Sequence, residues 1–117
     1  MISLQWAVAD GNQWYTLEGY NFAAITAKGV YVIWHEGQPG RYVRVGQGIV
    51  GERLTTHKHD PAILAFRKSG ILRVTWALVH PGQLNAVERY LTQTLQPLVG
   101  YRFPDLDHVR VNLPGAA

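Results

Sequence analysis

The segment GVYVIWHEGQPGRYVRVG, residues 29–46, holds two runs of β-branched and aromatic residues on either side of a turn rich in glycine and proline. Runs of this composition are typical of β-strands. The intervening residues 36–40 contain Gly37, Pro39 and Gly40, which favour a tight connection. The segment therefore predicts an antiparallel hairpin whose strands cover residues 30–34 and 42–46.

Two helices, a strand and a longer helix are predicted after the hairpin. Residues 49–56 follow a glycine-bearing entry and suit a short helix, and Asp60-Pro61 is typical of the start of another. Residues 72–79 suit a third strand. The last helix covers residues 84–95 and has an apolar stripe at helical spacing, formed by Leu84, Val87, Leu91 and Leu95.

The order of elements from Gly29 is β-β-α-α-β-α. This order predicts a small single α/β domain in which helices flank a central three-stranded antiparallel sheet. Residues 1–28 are rich in aromatic side chains and poorly periodic, and we interpret them as an N-terminal extension packed on the domain. The domain itself is assigned to residues 29–103, and residues 104–117 are assigned to a C-terminal tail.

Composition limits the classes of protein and of site. The chain has 117 residues, of which 47% are hydrophobic, so one domain can bury a core without covalent staples. It contains no cysteine, which excludes disulfides, thiolate metal sites and a cysteine nucleophile. Residues 1–6 have no basic region and no long apolar stretch, so we expect no secretory signal, and no apolar run approaches the ~20 residues needed to cross a bilayer. We therefore expect a cytoplasmic protein that does not enter a membrane.

The charge balance favours an anionic partner. Eleven Lys and Arg residues stand against eight Asp and Glu, and eight of the eleven are arginine. A guanidinium group binds phosphate through two parallel hydrogen bonds, which an ammonium group cannot do. A net charge of +3 is also common among proteins that bind no nucleic acid, so charge alone leaves the partner open.

Glu88 is the most informative single residue. It lies four residues after Leu84 and three before Leu91, which places it beside the apolar stripe of its helix. An ionised carboxylate in that place needs a cationic partner or a metal ion. Both a structural salt bridge and a metal ligand satisfy this requirement.

Four further residues form candidate pairs. Arg53 and His57 are four apart on the short helix and so share one face, which suits a phosphate contact and a proton-transfer group or, more simply, a solvated surface. Tyr31 and Arg44 lie on the two hairpin strands. Taken alone, Tyr31 is more typical of a core tyrosine whose hydroxyl makes one hydrogen bond. The run from His57 to His59 lacks the further ligands of a zinc site, and the chain has no phosphate-loop or serine-hydrolase motif.

These residues occur in an order that resembles the GIY-YIG nuclease family over residues 29–103. Gly29-Val30-Tyr31 is similar to the first motif, and Arg44-Val45-Gly46 occupies the place of the second motif, Tyr-Ile-Gly. Arg53, His57 and Glu88 follow as the family's helix arginine, its frequent histidine and its metal-binding glutamate. Leu95-Gln96-Pro97 is similar to the segment that follows that glutamate.

The sequence departs from the family pattern at two positions. Arg44 replaces the tyrosine of the second motif, which removes a hydroxyl expected beside the scissile phosphate and adds a positive charge. Gly100 stands where many members have an asparagine after the proline. Both departures concern the site more than the fold.

The resemblance implies a divalent-metal-dependent endonuclease that hydrolyses DNA. Glu88 would hold a hydrated Mg²⁺ or Mn²⁺, which needs only one or two carboxylates. Tyr31 would position or deprotonate the attacking water, Arg53 would neutralise charge on the phosphate and His57 would assist proton transfer. Substrate binding would fall to Arg44 and Lys58.

Two other functions fit the same sequence. One is a catalytically weak or inactive GIY-YIG-like module that binds nucleic acid, which Arg44 favours. The other is a structural or partner-binding protein, which a large exposed apolar patch on residues 1–28 would favour. The sequence shows no separate DNA-targeting domain, so we expect either low sequence preference or a protein partner that supplies specificity.

Overall fold

The computed structural model describes residues 2–100 and 110–114. Within these residues, four strands form one antiparallel sheet in the spatial order β1-β4-β2-β3. The strands are β1 (Tyr15–Thr16), β2 (Lys28–His35), β3 (Arg41–Ile49) and β4 (Leu72–Leu78). The α-helices are α1 (Val50–His57), α2 (Pro61–Leu64) and α3 (Leu84–Leu95). Short 3₁₀ turns cover Asp10–Asn12, Ala65–Lys68 and Pro81–Gln83.

The small α/β domain with an antiparallel sheet is confirmed, but the number of strands was wrong. The fourth strand, β1, comes from the predicted N-terminal extension, and its Tyr15 and Thr16 pair with Val74 and Arg73 of β4. A strand of two residues is too short to show an alternating pattern, so periodicity could not reveal it. Strand β1 forms because one edge of β4 is otherwise unpaired and binds the nearest extended backbone.

The hairpin and the last helix agree closely with the sequence prediction. β2 lies in the middle of the sheet, where Tyr31 is opposite Gly46 of β3 and opposite Trp76 of β4. The regular register from Lys28 to Ile33 places Arg44 opposite Ile33, on the same face as Tyr31, and a bulge after Ile33 then places Trp34 opposite Tyr42. The second predicted helix is α-helical only to Leu64 and then tightens into 3₁₀ geometry.

The sheet is covered on both faces, which explains why β2 is buried along almost its whole length. On one face Val30, Val32 and Trp34 pack against the apolar stripe of α3. On the other, Tyr31 and Ile33 pack under α1 and α2. Alternate residues of one strand therefore belong to two different cores, as the two-residue period of a strand requires.

Both described ends of the chain contribute to the core. Leu4, Leu17 and Phe22 are buried, and the backbone of Leu4 exchanges hydrogen bonds with the side chain of Asn112. The predicted boundary between residues 103 and 104 lies outside the described residues. Among the described helices, none has the length and apolar character needed to cross a bilayer.

Candidate functional site

Tyr31 and His57 form a buried pair under helix α1. The phenol oxygen of Tyr31 lies 2.5 Å from Nε2 of His57, and neither residue has more than a few per cent of its surface exposed. The ring of Tyr31 lies directly over Gly46, where any Cβ would overlap the phenol. Tyr31 therefore requires glycine at position 46, because only a residue without a Cβ leaves room for the phenol ring.

His57 is neutral at pH 7. Burial, followed by the positive charges of Arg44 and Arg53, lowers its pKa to about 4, against a smaller opposing effect of Asp60. Its Nδ1 lies 3.9 Å from the Asp60 carboxylate and has no hydrogen-bond partner within the described part of the chain. When the neutral imidazole carries its hydrogen on Nδ1, Nε2 accepts a hydrogen bond from the hydroxyl of Tyr31.

Two arginines lie near Tyr31. Burial raises the pKa of Tyr31, and the positive charges of Arg53 and Arg44 partly offset that rise. The phenol is therefore protonated at neutral pH. Arg53 is exposed, and its side chain crosses Gly48, where a Cβ would lie 3.1 Å from its Cγ. Arg44 is half-buried, and its Nε has no hydrogen-bond partner among the described residues.

Glu88 reaches the same arginines from the other side of the edge strand β3. It is half-buried on α3, and burial raises its pKa, while the charges of Arg44, Arg53 and Arg89 act in the opposite direction. The nearby side chain of Gln47 also favours the ionised carboxylate. The two arginines thus interact with the carboxylate of Glu88 as well as with the Tyr31–His57 pair.

The structure brings together five of the six candidate residues: Tyr31, Arg44, Arg53, His57 and Glu88. The interpretation of α1 as a solvated face holds for Arg53 and fails for His57, which points into the core. Lys58 contacts the Phe22 ring instead, with Nζ 5.3 Å from its centroid.

Gln47 belongs to the site and was missed by the sequence analysis. Its side-chain amide donates a hydrogen bond to Asn85 at the start of α3, and its proximity to Glu88 favours the ionised form of that carboxylate. Gln47 alternates with Gly46, so it faces α3 while Gly46 faces α1. The three-residue spacing of Asn85 and Glu88 on one helix face was the available signal.

Among the candidate residues, Glu88 is the one carboxylate that could bind a metal ion. Among residues 2–100 and 110–114, no three His, Asp or Glu side chains lie close enough to form a metal cage. Glu88 therefore offers a single hard oxygen ligand, which excludes a structural zinc site here and suits hydrated Mg²⁺. Such an ion would take its other ligands from water and from a phosphate held by the arginines.

Comparison with protein-family models, with curated proteins and with solved structures finds no match to this chain. The functional interpretation therefore depends on its residues and their geometry.

Proposed function

We propose that this protein is a GIY-YIG-type endonuclease that hydrolyses DNA phosphodiester bonds with one hydrated Mg²⁺ or Mn²⁺. The observation that supports this most directly is the double role of Arg44 and Arg53. Each guanidinium acts electrostatically both on the phenol of Tyr31 and on the carboxylate of Glu88. A phosphate bound by these arginines would have a hydroxyl and a histidine on one side and a carboxylate on the other.

The arginines bind and orient the substrate. Arg53 is exposed, so it meets a phosphate first, and the less accessible Arg44 completes the contact. Charge that develops on the phosphate oxygens during attack is neutralised by the same two groups. Tyr31 is fully buried, and movement of the two neighbouring arginines toward a phosphate would expose its phenol.

Tyr31 and His57 handle the proton of the attacking water. The uncovered phenol holds the water by a hydrogen bond, and the phenol proton moves to Nε2 of neutral His57 as the water proton moves to the phenol oxygen. The hydroxide equivalent forms the new P–O bond while the bond to the leaving oxygen breaks. Glu88 would hold the metal ion, which when bound stabilises the charge on that leaving oxygen.

A second candidate function is nucleic-acid binding without cleavage. Tyr31 is fully buried, so the structure as it stands offers a substrate only arginine and glutamate side chains. Arg44 also stands where the GIY-YIG pattern has a tyrosine hydroxyl. Its permanent charge strengthens phosphate binding but supplies no group for proton transfer. The same arginines would then form a static phosphate clamp.

Incubation of the pure protein with supercoiled plasmid, with Mg²⁺, with Mn²⁺ and with EDTA, decides between these functions. We expect metal-dependent nicking or linearisation that disappears in a Glu88→Ala variant. DNA binding without cleavage under any metal condition would support the binding module. A cytoplasmic location and a partner that supplies specificity remain predictions.

A further inference from the structure

A group of aromatic rings lies on the same face of the sheet as Tyr31, on the side away from the arginines. Trp76, the cross-strand neighbour of Tyr31, is the centre of this group. The rings of Tyr15 and Tyr20 lie 4.9 and 6.2 Å from it at interplanar angles of 33° and 29°. We call Tyr15, Tyr20 and Trp76 the aromatic platform.

The platform differs from an ordinary core cluster because it ends at an exposed ring. Phe22, which contacts both Trp76 and Tyr20, is fully buried, as a core residue should be. Tyr20 is 38% exposed although it contacts three other rings. An aromatic stack with an accessible outer member offers a flat π-surface on which a further planar group can stack.

A cation lies between this platform and the candidate active site. Lys58 follows His57 directly in the chain, and its ammonium group lies over the ring of Phe22, which in turn contacts Tyr20. Basic side chains that follow the backbone, next to aromatic rings that receive bases, are the usual means of binding single-stranded nucleic acid. This arrangement suggests a role for Lys58 beside the aromatic rings.

We propose that the aromatic platform binds an unpaired nucleobase, with Tyr20 as the stacking residue and Lys58 as the contact to that nucleotide's phosphate. Bases in a continuous duplex are already stacked on their neighbours and cannot cover Tyr20. The preferred substrate is therefore a strand that is single-stranded next to the phosphate bound by Arg44 and Arg53. This inference is based on the proposed nuclease function and adds the class of DNA that the site accepts.

Equilibrium binding to three oligonucleotide probes of one sequence tests the proposal. The probes are a single strand, a blunt duplex and a duplex with a single-stranded arm, each measured at low salt in EDTA. The variants are Tyr20→Leu, which keeps an apolar cover over Trp76, and the matched control Tyr20→Phe, which keeps the ring. Thermal unfolding of each variant verifies that it folds.

We expect the wild type and Tyr20→Phe to bind the single strand and the armed duplex more tightly than the blunt duplex. Tyr20→Leu should lose roughly 5- to 150-fold in affinity for the first two probes, the range expected for one stacked base, and remain unchanged on the blunt duplex. Lys58→Gln should weaken binding of the same two probes and make it less dependent on salt.

If the wild type and Tyr20→Leu bind the single strand with equal affinity, the aromatic platform does not bind a nucleobase. The nuclease proposal still stands in that case if the protein cuts plasmid. An equal loss on all three probes also overturns the platform proposal, because a general structural defect would act in that way. If the wild type binds none of the probes and cuts no plasmid, both proposals fail together.

Discussion

The guanidinium group of Arg44 lies against the backbone of Gly100, where a Cβ would be 2.9 Å from Nη1 and 3.2 Å from Cζ. These are the two positions at which the sequence departs from the GIY-YIG pattern. A hydrogen bond from Val99 N to Val43 O holds the segment after α3 beside β3 and so keeps the two residues together. The long side chain at one position therefore occupies the space that a side chain at the other would need.

Gly100→Ala should destabilise the fold by about 1–3 kcal/mol, because its φ of 114° strains any residue with a Cβ. Part of the cost should arise from displacement of Arg44. In an Arg44→Ala background the same change should cost at least ~0.5 kcal/mol less, as expected for side chains in direct contact. Urea unfolding of the four proteins measures this, and equal costs in both backgrounds would show that the contact is energetically unimportant.

Glu88→Gln should abolish cleavage and leave DNA binding intact or slightly tighter. The amide keeps the size of the side chain, but it lacks the charge that hydrated Mg²⁺ needs, and it no longer repels the phosphate backbone. The loss should appear in the rate of cleavage of bound DNA, measured in single-turnover assays. A variant that cuts as fast as the wild type would show that Glu88 is not the metal ligand.

Arg53→Ala should weaken both binding and cleavage. Its exposed guanidinium acts on the phosphate in the bound complex and in the transition state, so both the dissociation constant and the single-turnover rate should suffer. The matched control is Arg67→Ala, which removes an exposed arginine that pairs with Glu18. Equal effects of the two substitutions would indicate a loss of net charge rather than of a specific contact.

DNA binding should weaken with salt, with a slope of about −2 to −4 in log K against log salt for duplex DNA. This range corresponds to Arg44, Arg53 and one or two further basic residues. Replacement of Arg44 by Gln should bring the slope closer to zero by about 0.9, the contribution of one phosphate contact. Fluorescence anisotropy across a salt series measures both slopes, and an affinity independent of salt would contradict both candidate functions.

Acid should destabilise the fold through His57. Its folded pKa of about 4 lies below the ordinary value of 6.5, so between these pH values the unfolded chain binds a proton that the folded protein does not. The stabilisation present above pH 6.5 is lost as pH falls toward 4, by up to about 3 kcal/mol. Urea unfolding at several pH values should show this loss, and His57→Gln should remove most of it.

Protonation of Glu88 has the opposite effect on stability, so the contributions of Glu88 and His57 to the pH dependence must be measured separately. Burial raises its pKa above 4.5, so the folded protein binds this proton first, and protonation of Glu88 favours the fold as pH falls. The same pH series on Glu88→Gln should therefore show a steeper loss than the wild type. An unchanged pH profile in both variants would mean that neither group titrates differently in the folded and unfolded states.

Tyr31→Phe should abolish cleavage while it preserves DNA binding. It also leaves Nε2 of buried His57 without its donor, which should cost about 1–3 kcal/mol of stability. Tyr42→Phe is the matched control, because the buried Tyr42 hydroxyl has no hydrogen-bond partner in the described part of the chain. Full cleavage by Tyr31→Phe would remove this phenol from the reaction and leave it a purely structural role.

By itself, the sequence determined the central hairpin, the third long strand and the bounds of α3. Residues 30–34 are a continuous run of β-branched and aromatic residues next to a turn, which is typical of a buried strand, and residues 84–95 repeat at the period of a helix. The order of Tyr31, Arg53, His57 and Glu88 also suggested a site before any of them could be placed in space.

Only the tertiary structure decided which groups meet and in which ionisation state. The β1 strand exists because β4 has a free edge, and a two-residue pairing leaves no period in the sequence. His57 is neutral because the core and two arginines surround it, although helix spacing alone suited a solvated surface. Arg44 contacts Gly100 across 56 residues of chain, and such a contact depends on packing between elements, which local patterns do not encode.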